Sequence, residues 1–237
     1  MGRHPCVTTR LLDNIVWHTL TGPLAPFATG QGGARRYAHG FSPILGFEDR
    51  LRPDFVGLQT HCAEGELFYV EGWRGDIPHG WRFDADQTMH PMVWDAPRPK
   101  ACTLPEALPL TAQHAPAALE LAVLTRPGPF GLRTTELGEY LGWLDGSHLV
   151  AMAGERMCAG TLREISGVCM PGLPAPRPGA ALDAGAVAAA DAARRTAVPA
   201  CDGRQHRRPR VGRAHGLSRS PRDRGARAIA VVTADQR

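Results

Sequence analysis

Every aromatic residue of the chain (7 Phe, 3 Tyr and 5 Trp) lies before Met170. Aromatic side chains supply the largest apolar areas a core can bury, so this distribution divides the 237-residue chain into two unlike parts. Charge divides at the same place. Residues 1–169 carry 14 basic and 18 acidic side chains, a net of −4, whereas residues 170–237 carry 13 and 5, a net of +8. The second part is rich in Ala, Arg, Pro and Gly and has little apolar area to offset its ordering entropy. It is therefore expected to be a tail of low order. The first part is long enough to bury a core, and the overall 43% hydrophobic and 21% charged residues exclude a collagen or a membrane bundle.

The start of the chain is short and polar and has no apolar segment of the kind that opens a secretory signal. No window approaches the ~18 apolar residues that would span a bilayer. Cys6, Cys62, Cys102, Cys158, Cys169 and Cys201 form no C-x-x-C pair, so they read as reduced thiols of a cytoplasmic protein with no membrane partner. His61, Cys62, His79, His90, Cys158 and Cys169 match no paired-ligand spacing, and no metal is expected. The G-x-G within residues 29–35 follows no strand and reads as a loop. No G-x-S-x-G is present, which removes the commonest hydrolase signal.

The pattern predicts a helix over residues 11–28 with Asp13 as its N-cap. A loop over 30–53 and strands at 54–59 and 66–72 follow. Residues 95–105 read as a linker, which makes 1–105 an N-terminal lobe and 106–169 a second one. In the second lobe, helices are predicted over 115–124 and 134–142. Strands at 148–157 and 163–169 follow with a short connection, hence antiparallel. No internal repeat is visible.

Five segments in this order, LDNIVW (12–17), LTRPGPF (124–130), ELGEYLG (136–142), LVAMAGERM (149–157) and EISGVC (164–169), resemble the GNAT superfamily of N-acetyltransferases. The likeness is close over 12–30 and 118–169 and loose over 31–117. It implies an α/β (α+β) fold, with a mixed, mainly antiparallel sheet flanked by helices and splayed beside its fourth strand, here 163–169. Acetyl-CoA would sit in that opening as cosubstrate, and the acceptor would be the amine of a small molecule or peptide. By the same resemblance, Glu164 is the candidate general base, since only an unprotonated amine attacks a thioester. The backbone of Val168 and Cys169 would pair with the pantetheine arm and polarise the acyl carbonyl. The residues alone allow blander roles: Glu164 as a strand carboxylate paired with Arg163 or Arg156, and Val168 and Cys169 as core. A tyrosine late in the chain, the family's usual proton donor to the thiolate, is missing, because Tyr37, Tyr69 and Tyr140 all come too early.

The family continues with an R-x-x-G-x-G/A loop whose backbone N–H groups cradle a pyrophosphate at a helix N-terminus. Here the residues are MPGLPAPRPGAAL (170–182), and Pro171, Pro174, Pro176 and Pro178 carry no N–H. Read one base further on, codons 171–179 can spell P-D-Y-R-R-R-G-L-G, which supplies that loop. The same shifted frame from Val198 can spell F-L-H-V-T-A-G-N-T-A-A, and residues 211–218 can spell L-D-E-R-M-G-Y-R. Both resemble later segments of the family. Residues 170–237 therefore read as a frameshifted translation, which leaves the sheet incomplete after its fourth strand, with an exposed edge and poor solubility.

A non-catalytic remnant is the alternative function. Its RQHRRPRVGR segment (204–213) would bind polyanions or nucleic acid through charge alone, with no aromatic to stack on bases. Arginine also accumulates when GC-rich DNA is read out of frame, so incidental charge ranks ahead of nucleic-acid binding. Oligomeric state is left open. Sequencing the gene tests the frame reading. The expected result is third bases in codons 171–179 that spell the glycine-containing loop in the shifted frame; stop codons or unrelated residues there contradict it.

Overall fold

The structure is a computed structural model and describes residues 7–73, 76, 78–94, 107–170, 196–202, 217–219 and 227–234. The linker at 95–105, the segment that replaces the pyrophosphate loop and the arginine-rich run at 204–213 lie outside the described residues.

The chain opens with two short helices, α1 (Val7–Asp13) and α2 (Ile15–Leu20). A single helix over 11–28 is not formed, because the chain breaks at Asn14. The Asn14 side chain leaves the helix and donates to Phe47 O at 2.8 Å. Four strands follow: β1 (Ala28–Thr29), β2 (Ala34–Tyr37), β3 (Ile44–Phe47) and β4 (Leu67–Glu71). Two of them lie where loop was expected. Residues 54–59 do not form a strand. Asp54 instead accepts the Gly57 N–H at 3.0 Å and starts a 3-10 helix, Val56–His61. The long β5 (Trp81–Trp94) closes the lobe.

Residues 107–170, the part expected as a second lobe and so labelled below, hold β6 (Ala107–Pro109), α3 (Ala115–Thr125), β7 (Tyr140–Asp145), β8 (His148–Ala159) and β9 (Leu162–Cys169). Helix is confined there to α3 and two 3-10 turns, Ala112–His114 and Thr134–Glu136. The expected helix at 134–142 therefore becomes a strand after one turn. Gly138 and Gly142 explain the change: a Cβ at Gly138 would lie 2.7 Å from Glu155 O, and one at Gly142 would lie 2.4 Å from Leu110. The glycines let β7 press close to its neighbours, and Tyr140 and Trp143 favour the extended chain.

The mixed, mainly antiparallel sheet with few helices is as expected, but it does not end at Cys169. Strands β10 (Thr196–Asp202), β11 (Leu217–Arg219) and β12 (Arg227–Ala234) extend it. The order is β1-β2-β3-β4-β12-β5-β10-β9-β8-β7-β6, with β11 also on β5. The run RAIAVVTA is β-branched enough to make a strand despite the composition around it. It inserts antiparallel between β4 and β5. Val232 and Ala234 thereby join the first core, whose centre is Phe55 in contact with Phe47, Trp73 and Trp81. The second core packs α3, through Ala118, Leu121 and Ala122, onto Tyr140, Met152 and Val168. Among the described residues, no helix is long and apolar enough to cross a membrane.

The topology contains a repeat that the sequence does not display. Strands β1-β2-β3 are antiparallel and β4 then runs parallel to β3; β7-β8-β9 are antiparallel and β10 then runs parallel to β9. Each lobe thus has one point where a parallel neighbour can diverge. If β12 is integral to the first core, truncating the fully buried Val232 (V232A) lowers stability by about 1–3 kcal/mol in denaturant unfolding. A loss below about 0.5 kcal/mol would place the strand outside the core.

Candidate functional site

In the second lobe the divergence leaves a backbone edge without a strand partner among the described residues. Strand β10 accompanies β9 only from Leu162 to Ile165, where Ile165 stands opposite Pro199. Proline cannot continue a ladder on its N–H side. From Ala200, which faces Pro91, β10 pairs antiparallel with β5 instead. Residues 166–169 of β9 keep β8 on one side, with Ser166 opposite Gly154, Gly167 opposite Ala153, Val168 opposite Met152 and Cys169 opposite Ala151.

The hydrogen-bond phase of that ladder decides which groups are available. Met170 N donates to Val150 O at 2.9 Å. Antiparallel pairs alternate between bonded and non-bonded, so Val168 and Ser166 turn their backbone groups toward β8. The N–H and C=O of Gly167 and Cys169 point the other way, into the splay. Of the two backbone sites expected from sequence, Cys169 therefore faces the opening. Val168 is tied to β8 by its backbone, and its side chain is packed against α3. Gly167 was missed, because only the ladder phase reveals it. The Cys169 thiol is half-buried and donates to Met170 O at 3.4 Å.

The equivalent edge of the first lobe is closed. Glu48 N donates to Gly33 O at 2.9 Å, so by the same alternation Phe47 turns away from β2. Strand β4 pairs with β3 only at Ile44 and Leu45. The carbonyl left over at Phe47 is taken by the Asn14 amide, which also reaches Glu48 O at 3.3 Å. Helix α2 seals the place, since a Cβ on Gly46 would come within 3.0 Å of both Val16 and Leu20.

Just before the open edge lies a buried ionic cluster. Strand β8 carries one extra residue at Arg156, a bulge between Glu155 and Met157. The Arg156 guanidinium donates to Glu164 through Nη2 at 2.6 Å and Nε at 3.2 Å, and through Nη1 to Pro129 O at 2.9 Å. The two charged side chains are 6% and 3% exposed. The Arg156 carbonyl accepts the Tyr37 hydroxyl at 2.8 Å. Beside them, Arg163 Nε lies 3.4 Å from Glu155. Burial pushes the Glu164 carboxyl above its usual range, against the pull of Arg156. Burial likewise holds the Tyr37 phenol well above its ordinary value.

The expectation of a base open to substrate differs from this arrangement. Both oxygens of Glu164 are engaged by one guanidinium and the carboxylate is shut away from solvent, which is the paired alternative with Arg156 as the partner. Of the described His and Cys residues considered as ligands, His61 bonds Thr29 at 2.7 Å, Cys62 is in the first core, and Cys158 packs with α1 and α2. Among the described residues, no three His, Cys, Asp or Glu side chains are grouped to hold a metal.

No family model matches the chain, and no curated protein does. Its fold does match solved structures. A protein from Novosphingobium aromaticivorans DSM 12444, assigned to the acetyltransferases of the GNAT family, superposes with a TM-score of 0.80 at 22% identity, over 95% of this chain and 99% of that one. A GCN5-related N-acetyltransferase-like protein from Streptococcus suis 89/1591 gives 0.56 at 14% identity, over 96% of each chain. A GCN5-related N-acetyltransferase from Kribbella flavida gives 0.54 at 12% identity, over 96% of this chain and 95% of that one. The chain has the GNAT N-acetyltransferase fold.

Removing one partner of a buried ion pair strands the other charge. E164A is expected to cost about 3–5 kcal/mol in urea unfolding. A cost below about 1 kcal/mol would mean that the carboxylate is solvated and free for other work.

Proposed function

We propose that the protein is built as an acetyl-CoA-dependent N-acetyltransferase of the cytosol, acting on the amine of a small molecule or peptide. The observation that carries this reading is the backbone edge at Gly167 and Cys169, beside the point where β10 leaves β9 and without a strand partner among the described residues, in a fold shared with GNAT acetyltransferases. The pantetheine arm carries amide groups along an extended chain, so it can pair with an unfilled strand edge as another strand does. In this reading Cys169 and Gly167 hold the arm, and Val168 contributes through the face it packs on α3. The acyl thioester reaches the point where β10 leaves β9.

The chemistry is then direct transfer. The amine nitrogen bonds to the acyl carbon, the carbon–sulfur bond breaks, and the proton lost by the amine ends on the leaving thiol. Glu164 is a positioning residue here. With Arg156 it fixes the bulge opposite the splay, and it does not receive the amine proton. Acetyl-CoA is a cosubstrate, and the reading calls for no metal.

The remaining requirement is a seat for the pyrophosphate. Several charge-assisted N–H bonds are needed, and the prolines between 171 and 178 remove four of the donors. The frame that encodes R-R-R-G-L-G would restore them. Calorimetric titration with acetyl-CoA of two proteins, the 237-residue chain and one in which residues 171–179 alone carry the shifted-frame sequence, tests this. The shifted-frame protein is expected to bind about 100-fold or more tightly, the value of two such bonds. Equal binding would mean that residues 171–178 supply donors after all and would overturn the frame reading. Binding by neither would favour the non-catalytic alternative.

A further inference from the structure

One polar side chain of β9 at the splay has no role so far. Glu164, Ser166 and Val168 alternate onto one face of the sheet, the face that α3 covers at Val168. Glu164 is 3% exposed and Val168 5%, whereas Ser166 between them is partly exposed. The cover of this row is interrupted at that one residue. Its two neighbours are held in opposite directions. Val168 packs under α3 with Met152 and Tyr140, while Glu164 is drawn to Arg156, which also holds the loop at Pro129. The short serine side chain belongs to neither packing, and solvent reaches it.

The opposite face is closed at the same level. Ile165 is 2% exposed and packs with Ala151 and Ala153, and Ala153 stands opposite Gly167. Along the strand, Ser166 is the first residue beyond Ile165, the last partner of β10. It is also the covalent neighbour of Gly167, whose backbone groups point into the splay. An arm paired to that edge as a strand lies in the plane of the sheet and carries its acyl group in that plane. A nucleophile approaches a carbonyl carbon across the carbonyl plane, hence from one face of the sheet. The face with Ser166 is the accessible and polar one; the face with Ile165 is buried and apolar.

We propose that the acceptor amine reaches the thioester from the α3 face and that the Ser166 hydroxyl accepts a hydrogen bond from its N–H. A serine hydroxyl has two acceptor lone pairs and one proton, so it can hold an amine while donating elsewhere. A nucleophile held beside the acyl carbon loses less freedom on the way to attack. The nitrogen–carbon bond forms and the carbon–sulfur bond breaks as above. Ser166 takes neither the acyl group nor the amine proton. This assignment rests on the thioester-binding reading above and adds the acceptor side to it.

Acyl transfer from S-acetylpantetheine to O-methylhydroxylamine by the 237-residue chain and by Ser166→Ala tests it. This donor carries no pyrophosphate, so no phosphate cradle is called for. The acceptor is unprotonated at neutral pH and needs no base, so the contact alone is read. Thiol release above the uncatalysed rate gives the acceptor KM, and calorimetry gives donor binding. Ser166→Ala should raise the acceptor KM about 3- to 10-fold, the value of one hydrogen bond, and leave donor binding unchanged. An unchanged acceptor KM, or donor binding weakened by the same factor, overturns the assignment. A wild type that binds the donor without accelerating transfer also overturns it, while thioester binding stands. A wild type that does not bind the donor overturns the thioester reading and this assignment with it.

Discussion

The Arg156–Glu164 pair is the constraint on which the second lobe depends. An extra residue in a strand normally leaves the backbone groups of the bulge without partners. Here the Arg156 carbonyl and its side chain are both taken up inside the protein. The Arg156 carbonyl accepts from Tyr37, its guanidinium spans to Glu164, and its remaining arm ties down the loop at Pro129. One residue thereby links β8, β9, the loop after α3 and, through Tyr37, the first lobe. A buried ion pair gains little over a well-packed apolar pair. What it contributes is register: the bulge and its partner can be satisfied in only one alignment of β8 on β9, and that alignment sets which groups of β9 face the splay.

The two lobes show how one topology can give a closed place and an open one. Both diverge after a short parallel pairing. In the first lobe, Asn14 and α2 fill the gap, and the break between α1 and α2 is the local consequence of aiming that amide at Phe47. In the second lobe, α3 covers the face but sends no side chain to the edge at Gly167 and Cys169 among the described residues. The difference lies in one polar side chain and in the two prolines, Pro91 and Pro199, that frame the point of departure.

Much of the second lobe was legible in the sequence. Helix α3 and strands β8 and β9 follow from ordinary periodicity and breakers, and the order of five short motifs pointed to the fold. Other features were not legible for physical reasons. Residues 134–142 have helix-like spacing, but their glycines serve close packing against Glu155 and Leu110, a contact that only the folded sheet defines. Asp54 marks a turn in place of a strand only once its carboxylate is seen on Gly57. Strand β12 was hidden by the composition around it. At the site, residue type singled out Glu164, but whether a glutamate is open or locked depends on a partner eight residues away across a bulge. Gly167 carried no sequence signal, because it enters only through the backbone phase of the ladder.

The proposed seat requires that β9 have a free edge at Gly167 and Cys169. Amide hydrogen exchange by NMR on the ligand-free protein reads that edge residue by residue. Gly167 and Cys169 should exchange fast, while Ser166, Val168 and Met170, bonded to β8, should be protected. Uniform protection from 166 to 170 would mean that the edge is already paired, and the proposed seat for a thioester would not exist.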